Sequence, residues 1–262
     1  MTHNDSSIVS WLQWKQALSS HRLLRCRSIR LFVIALFLPV LFLAPAPARA
    51  WHDHTHLAIA KAAGYPEWYN AAGADLTKIK AGSLEEKNHF FDNDRNVDVT
   101  PRLVLDQAGR YNDPTDDKGH LYGAIIASLR AYRAARSAGK YAEYHMAFAA
   151  HYLGDLSQPL HNVAYDGFNR AHHTVNDGLV EGDVLDRIGD IQKRMYEIRL
   201  RPGHVEEDLA REIARIANLS RLLGLKLKAE HRDMTPEEAY TQLGHSASLL
   251  KAVVKSLDER NQ

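Results

Sequence analysis

From Trp51 onward, apolar residues recur at intervals of three and four, and short polar connectors separate the stretches that carry this period. Such a period belongs to helices packed on a core, and no run of alternating residues is long enough to suggest a sheet. The pattern predicts a short helix from His56 to Ala63, ended by Gly64 and Pro66, and another from Leu76 to Glu86. Asp92 to Pro114, rich in Asp, Asn and Pro, reads as irregular. Helical spacing returns from Leu121 to Ser137, where Gly139 breaks it, and again from Tyr141 to Leu156. Residues 162–172 read as a loop, His173 to Leu200 as a further helix, and Pro202-Gly203 as its break. Glu206 to Leu225 follows. Thr235-Pro236-Glu237-Glu238 then opens the last helix with a capping threonine and a proline at the first helical position. The expected fold is all-α, a single domain of about seven or eight helices.

The first fifty residues break this pattern. Arg22, Arg25, Arg27 and Arg30 precede the apolar run Leu31 to Leu43, and Ala48-Arg49-Ala50 supplies a small-x-small tripeptide. Together they read as a secretory signal peptide over residues 1–50, which makes 51–262 the mature domain and places it in the periplasm or outside the cell. The apolar run contains Pro39 and is shorter than the roughly 20 residues of a bilayer span. An uncleaved anchor is the competing reading.

Cleavage after Ala50 changes the charge. Of 33 Lys and Arg and 32 Asp and Glu, six bases and one acid lie in 1–50, which leaves 27 against 31, a formal charge of −4. That balance argues against broad electrostatic capture of nucleic acid, although a local site remains open. The one cysteine, Cys26, goes with the leader, so the mature chain has no disulfide and needs a good core or bound metal.

The densest chemistry lies in His151-Tyr-Leu-Gly-Asp155-Leu-Ser-Gln-Pro-Leu-His161. His151 and Asp155 stand four apart on a helix and so share a face. Pro159 ends that helix, and His161 falls in the turn beyond. Imidazole and carboxylate are ligands that zinc accepts, yet a lone His-x3-Asp pair is more often a chance neighbour or ion pair on a surface helix. His173 and Asp177 repeat the spacing, which favours His173 over its neighbour His172. Asn88-His89-Phe-Phe-Asp-Asn-Asp94 is a third place, with Asp75 fourteen residues before His89 and Glu85-Glu86 just ahead of it. Taken alone it reads as a polar loop with a capping histidine. The fourth place is the new N-terminus, Trp51-His-Asp-His-Thr-His56. Its amine, with a pKa of about 7.7–8.0, would deprotonate readily on binding metal. A frayed terminus is the plain alternative, and a tryptophan at the cut argues for a tucked one.

These elements, in this order, resemble the zinc-dependent phospholipase C family and the related single-strand-specific zinc nucleases. The likeness rests on Trp51-x4-His56, Asp75 before His89, His89-Phe-Phe-Asp-Asn-Asp, His151-Tyr-Leu-Gly-Asp155-x3-Pro-Leu-His161 and His173-x3-Asp177. It runs through most of residues 51–181 and thins in the C-terminal helices. The resemblance implies an all-helical domain with three zinc ions. One would be held by Asp75, His89, His151 and Asp155. A second would take the amine and carbonyl of Trp51 with His56, and Asp155 would bridge it to the first. The third would take His161, His173 and Asp177. Glu86, one helical turn before His89, is the alternative to Asp75, which would also orient the attacking water as the catalytic base.

The implied activity is hydrolysis of a phosphodiester bond, with a phospholipid or membrane surface as partner, or single-stranded nucleic acid as the alternative. His89-Phe-Phe-Asp leans towards the phospholipases. Glu86 and Leu76 stand where those enzymes carry the aromatics of a choline cage, which puts phosphatidylcholine in doubt. For a nuclease, Phe90, Phe91, Tyr165 and Phe168 are the aromatics available to stack on a base. A non-catalytic zinc-binding protein is the remaining reading, and no protein partner is evident. His120, His145, His204, His231 and His245 fall outside the motifs and read as surface or capping residues.

Overall fold

The computed structural model describes residues 51–258; the leader expected at 1–50 and residues 259–262 lie outside them. Ten α-helices run through the described residues, and no strand occurs among them. They are α1 (Asp53–Ala62), α2 (Gly73–Ala81), α3 (Ser83–Glu86), α4 (Pro101–Gln107) and α5 (Leu121–Ser137), then α6 (Glu143–Asp155), α7 (Gly167–Asp177), α8 (Ile188–Gln192), α9 (Val205–Glu230) and α10 (Pro236–Asp258). No helix among them is long and apolar enough to cross a membrane.

Helix α6 is the axis of the fold. It packs along α5 and also meets α1, α2 and α10. A helix enclosed on so many sides must be apolar nearly all round. From Ala149 to Asp155 every residue is buried. His151 and Asp155 are therefore a histidine and an aspartate in a helix enclosed on several sides, each fully buried. Burying a charge without partners is expensive, so such groups are paired or hold a cation.

Three local departures from the sequence reading have clear causes. Gly82 adopts φ +57 and splits the helix expected over Leu76–Glu86 into α2 and α3. Thr100 accepts a hydrogen bond from the Leu103 N–H (3.2 Å) ahead of Pro101, so α4 forms inside the stretch read as irregular. The same cap-then-proline signal at Thr235-Pro236 does open α10, where Glu238 and Thr235 exchange hydrogen bonds in a capping box. Finally, the helix expected from His173 is displaced. Asp166 accepts from the Asn169 N–H (3.1 Å) and starts α7 at Gly167, within the expected loop. The helix then stops at Gly178, and residues 178–187 run as successive turns closed mainly by i→i+3 bonds before the short α8.

Those turns serve the other end of the chain. The N-cap of α1, His52, makes no side-chain cap bond of its own. Glu181 supplies it from 127 residues away, accepting from the N–H groups of His54 (2.9 Å) and Thr55 (3.0 Å) and from the Thr55 hydroxyl. The carboxylate satisfies donors at the positive end of the helix and fixes the segment that carries Trp51 and His56.

Candidate metal centre

Six stretches of chain converge on one buried cluster. The N-terminal turn of α1 brings His56, α2 brings Asp75, and the turn after α3 brings His89. Helix α6 brings His151 and Asp155, the single turn at Pro159–His161 brings His161, and α7 brings His173 and Asp177. Ligand atoms within 4.8 Å of one another form three groups: His56, Asp75 and His151; His89, His151 and Asp155; and His161, His173 and Asp177.

Asp155 sits between them. Its Oδ2 lies 2.8 Å from His89 Nδ1 and 3.4 Å from His151 Nε2. Its Oδ1 faces the other way, 3.4 Å from His56 Nε2 and 3.7 Å from His161 Nδ1. The two oxygens of one carboxylate thus address different imidazoles, the disposition a bridging ligand requires. Asp75 Oδ1 stands 3.7 Å from His151 Nε2 and 3.9 Å from His89 Nδ1, and Lys78 pairs with it at 2.7 Å. Glu86, the alternative to Asp75, is exposed on the rim instead. The ring of His56 stacks on that of His151, with centroids 3.6 Å apart. In the third group His161 Nε2 and His173 Nε2 approach to 3.2 Å, and Asp177 Oδ2 lies 3.4 Å from His173.

Trp51 is fully buried, and the N–H of the next residue, His52, reaches the carbonyl of Asp177 at 3.5 Å. The start of the expected mature chain therefore lies against the third group. His172 turns away from the cluster to Asp233 (2.7 Å) and stacks on Phe168. His120, expected at the surface, is buried, 2.8 Å from Asn88 and 3.2 Å from Asp116.

Second partners aim several imidazoles. His151 donates from Nδ1 to the carbonyl of Ala71 (2.8 Å), and His173 donates from Nδ1 to Asn169 Oδ1 (2.7 Å). Asn169 is committed to this role because its amide group donates to the carbonyls of Leu160 and Ala164. Both imidazoles then present an unprotonated Nε2 to the cluster, as metal-binding histidines do. Gln158 donates to Asp177 Oδ1. Asn169 (four before His173) and Gln158 (inside the His161 motif) were readable from spacing; Ala71, eighty residues from His151, was not.

Burial lowers the pKa of His56, and the neighbouring His151 lowers it further. Burial also holds His161 well below the ordinary imidazole value. At Asp155 and Asp75 burial opposes ionisation, but nearby His151 and other cations overcome it and hold both carboxyls low. His151 is raised despite burial because Asp75 and Asp155 face it. Asp177 is pushed well above the carboxylate range, chiefly by burial.

Both ring nitrogens of His56, together with His161 Nδ1, Asp155 Oδ1 and Asp177 Oδ2, are buried without a hydrogen-bond partner. Each such group costs about 1–3 kcal/mol. Concentrated in one place, and all nitrogen or oxygen, they fit divalent cations. These His and Asp groups could hold metal ions.

Glycines make the approach possible. A Cβ at Gly154 would lie 2.5 Å from His56 Nδ1, and one at Gly224 would lie 2.8 Å from the Pro159 carbonyl in the turn that carries His161. Gly154→Ala is expected to push His56 out of the cluster. Metal analysis should then show less than the wild-type content, with the helical circular dichroism unchanged; wild-type content would mean the ring yields without consequence.

Beside the cluster opens a cleft of about 180 Å³. His89, His161 and His173 form its floor, and Phe90, Phe91 and Tyr165 form apolar walls. Lys78, Lys87, Glu86, Asp92 and Asp117 bring both charges to its edge. Three of the four aromatics noted in the sequence line it, and Phe168 does not. No protein-family model matches the chain, and neither a curated protein nor a solved structure matches it.

Proposed function

We propose that the mature chain is an exported zinc-dependent phosphodiesterase of the phospholipase C kind, acting at the glycerol-phosphate bond with three zinc ions. The observation that carries the reading is the placement of Asp155, itself fully buried, whose two oxygens face different members of a largely buried His and Asp cluster. Imidazole nitrogens and carboxylate oxygens without sulfur suit zinc. Trp51, His56, Asp75, His89, His151, Asp155, His161, His173 and Asp177 are the residues proposed to hold it. When bound, zinc supplies positive charge for phosphate oxygens and lowers the pKa of a coordinated water towards about 7.

The side chains would divide the remaining work. Asp75, a carboxylate held ionised at the edge of the cluster, is placed to orient the attacking water and take its proton. Lys78, beside it on the cleft wall, adds charge where a phosphate oxygen would sit. Phe90, Phe91 and Leu160 exclude solvent from one side. The cleft would take the phosphate and head group of a lipid, with the acyl chains left outside. One observation favours the second reading, a single-strand-specific zinc nuclease: Phe90, Phe91 and Tyr165 flank the same floor and could stack on a base.

The test is hydrolysis by zinc-loaded protein beginning at Trp51, offered a phospholipid panel alongside single-stranded DNA and RNA. Release of phosphorylated head groups with nucleic acid intact is expected, and Asp75→Asn should abolish it. Cleavage of nucleic acid alone would move the protein to the nucleases. Silence on both with zinc bound would point to another phosphoester substrate or to a non-catalytic zinc-binding protein. Near-normal turnover by Asp75→Asn would exclude it as the base and shift attention to Glu86.

A further inference from the structure

His89 differs from His151 and His173 in the direction it faces. His151 and His173 turn Nε2 to the cluster and are held at Nδ1 by neutral oxygens. His89 turns Nδ1 to the cluster, 2.8 Å from Asp155 and 3.2 Å from His151, so its Nε2 points outward. There it meets the carboxylate of Glu85, whose Oε1 lies 3.4 Å away in ion-pair range.

Glu85 is buried, with 4% of its surface exposed, and among the described residues no lysine or arginine forms an ion pair with it. A buried carboxylate in that position costs several kcal/mol unless something answers its charge. Neutral donors answer part of it. The hydroxyl of Tyr152 donates to Oε1, and Asn88 Nδ2 donates to Oε2 (3.2 Å). Tyr152 follows His151 on α6, so the helix that carries the cluster also anchors Glu85. Asn88 is fixed in turn by Asn112 (2.9 Å) and by His120 (2.8 Å), which reaches Asp116. The network converges on one carboxylate and aims it at one nitrogen. An imidazole with a cation on Nδ1 must carry its proton on Nε2, the atom that faces Glu85.

We propose that Glu85 is a positioning residue for the metal centre. It selects the His89 tautomer with the proton on Nε2, fixes the ring and strengthens Nδ1 as a donor, while Tyr152, Asn88 and His120 hold Glu85 in place. Carboxylates that back metal-bound histidines act in this way. Glu85 stands four residues before His89, whereas Glu86, three before it, points to solvent. The inference rests on the metal-centre reading and not on the substrate.

The experiment is a zinc titration against a competing chelator for wild type, Glu85→Gln, Glu85→Asp and Tyr152→Phe, with thermal melts of the metal-free proteins. Glu85→Gln keeps the shape and one acceptor oxygen but removes the charge. It should bind one zinc about 10–100-fold more weakly while its metal-free melting temperature stays at the wild-type value or rises. Glu85→Asp should recover part of the affinity, and Tyr152→Phe should show a smaller loss at the same site. Wild-type affinity in Glu85→Gln would overturn the proposal, as would a stability loss with zinc affinity intact. If Glu85→Gln fails to fold, wild-type affinity in Tyr152→Phe overturns it. A wild-type protein that binds no zinc removes both this proposal and the metal-centre reading. Full zinc binding without hydrolysis removes the enzyme and leaves the role of Glu85 standing.

Discussion

Asp155→Asn should lower the proposed hydrolysis by about 10³–10⁴-fold, equivalent to about 4–5.5 kcal/mol of barrier, and should lower the metal content of the protein. Asparagine keeps the volume and one acceptor oxygen, so α6 should still pack. What it removes is the charge and half of the bridge. In the native chain Oδ2 serves His89 and His151 while Oδ1, which has no hydrogen-bond partner, faces His56 and His161. An amide must turn its NH₂ towards one of these sets, where it repels a cation. The metal-free variant should also be destabilised, because His151 loses the charge of one of the two carboxylates that face it. Elemental analysis and a melting curve read the effects separately. Full metal content with normal turnover would remove the bridging role, and with it the observation on which the function rests.

Chelation should produce the second large effect. An ion present at 1,000 times its dissociation constant stabilises the folded chain by about 4 kcal/mol. At about 2–4 °C per kcal/mol for a domain of this size, stripping even one such ion lowers the melting temperature by about 8–16 °C. The effect should shrink as pH falls. Burial holds His56 and His161 below their ordinary value, so between neutrality and pH 5 the unfolded chain takes up protons that the folded chain refuses. Unfolded imidazoles titrate near 6.5. Stability carried by these two groups is therefore present above that pH and lost below it, by up to about 1.4 kcal/mol per group and pH unit. His151 has the opposite sign: its raised value adds stability below 6.5 that disappears as pH rises through the folded value. In the metal-loaded chain every coordinating imidazole must be deprotonated, so all of them pull in the acid-labile direction. Calorimetry with and without chelator at pH 7.5 and 5.5 checks this. Identical melting curves at pH 7.5 would show that no ion stabilises the fold.

Much of the candidate site was legible because helices turn regular spacing into proximity. His151 and Asp155, and His173 and Asp177, lie four apart, and each pair does share a face and a cluster. The all-helical class was legible for the same reason, since a 3.6-residue period survives in sequence. What failed was decided by single residues acting locally or at a distance. Gly82 broke a helix whose apolar spacing ran on through it, and Asp166 started one inside a polar stretch where no apolar stripe announced it. Glu86 drew attention because it stands one turn before His89, yet Glu85 faces the ring. An i−3 and an i−4 neighbour cannot be separated by counting when the intervening chain leaves the helix at Lys87.

The sequence by itself determined the helical class, the identity of the nitrogen and oxygen donors, and their pairing within α6 and α7. These depend on composition and on offsets along one helix. Only the tertiary structure decided which pairs meet, which nitrogen each imidazole presents, and which oxygen of Asp155 faces which ring. It also decided that Glu181 caps α1 and that Ala71 orients His151. A metal site requires directions from several elements at once. Those directions are set by how the helices cross and by the glycines that let them approach, and a one-dimensional spacing contains neither.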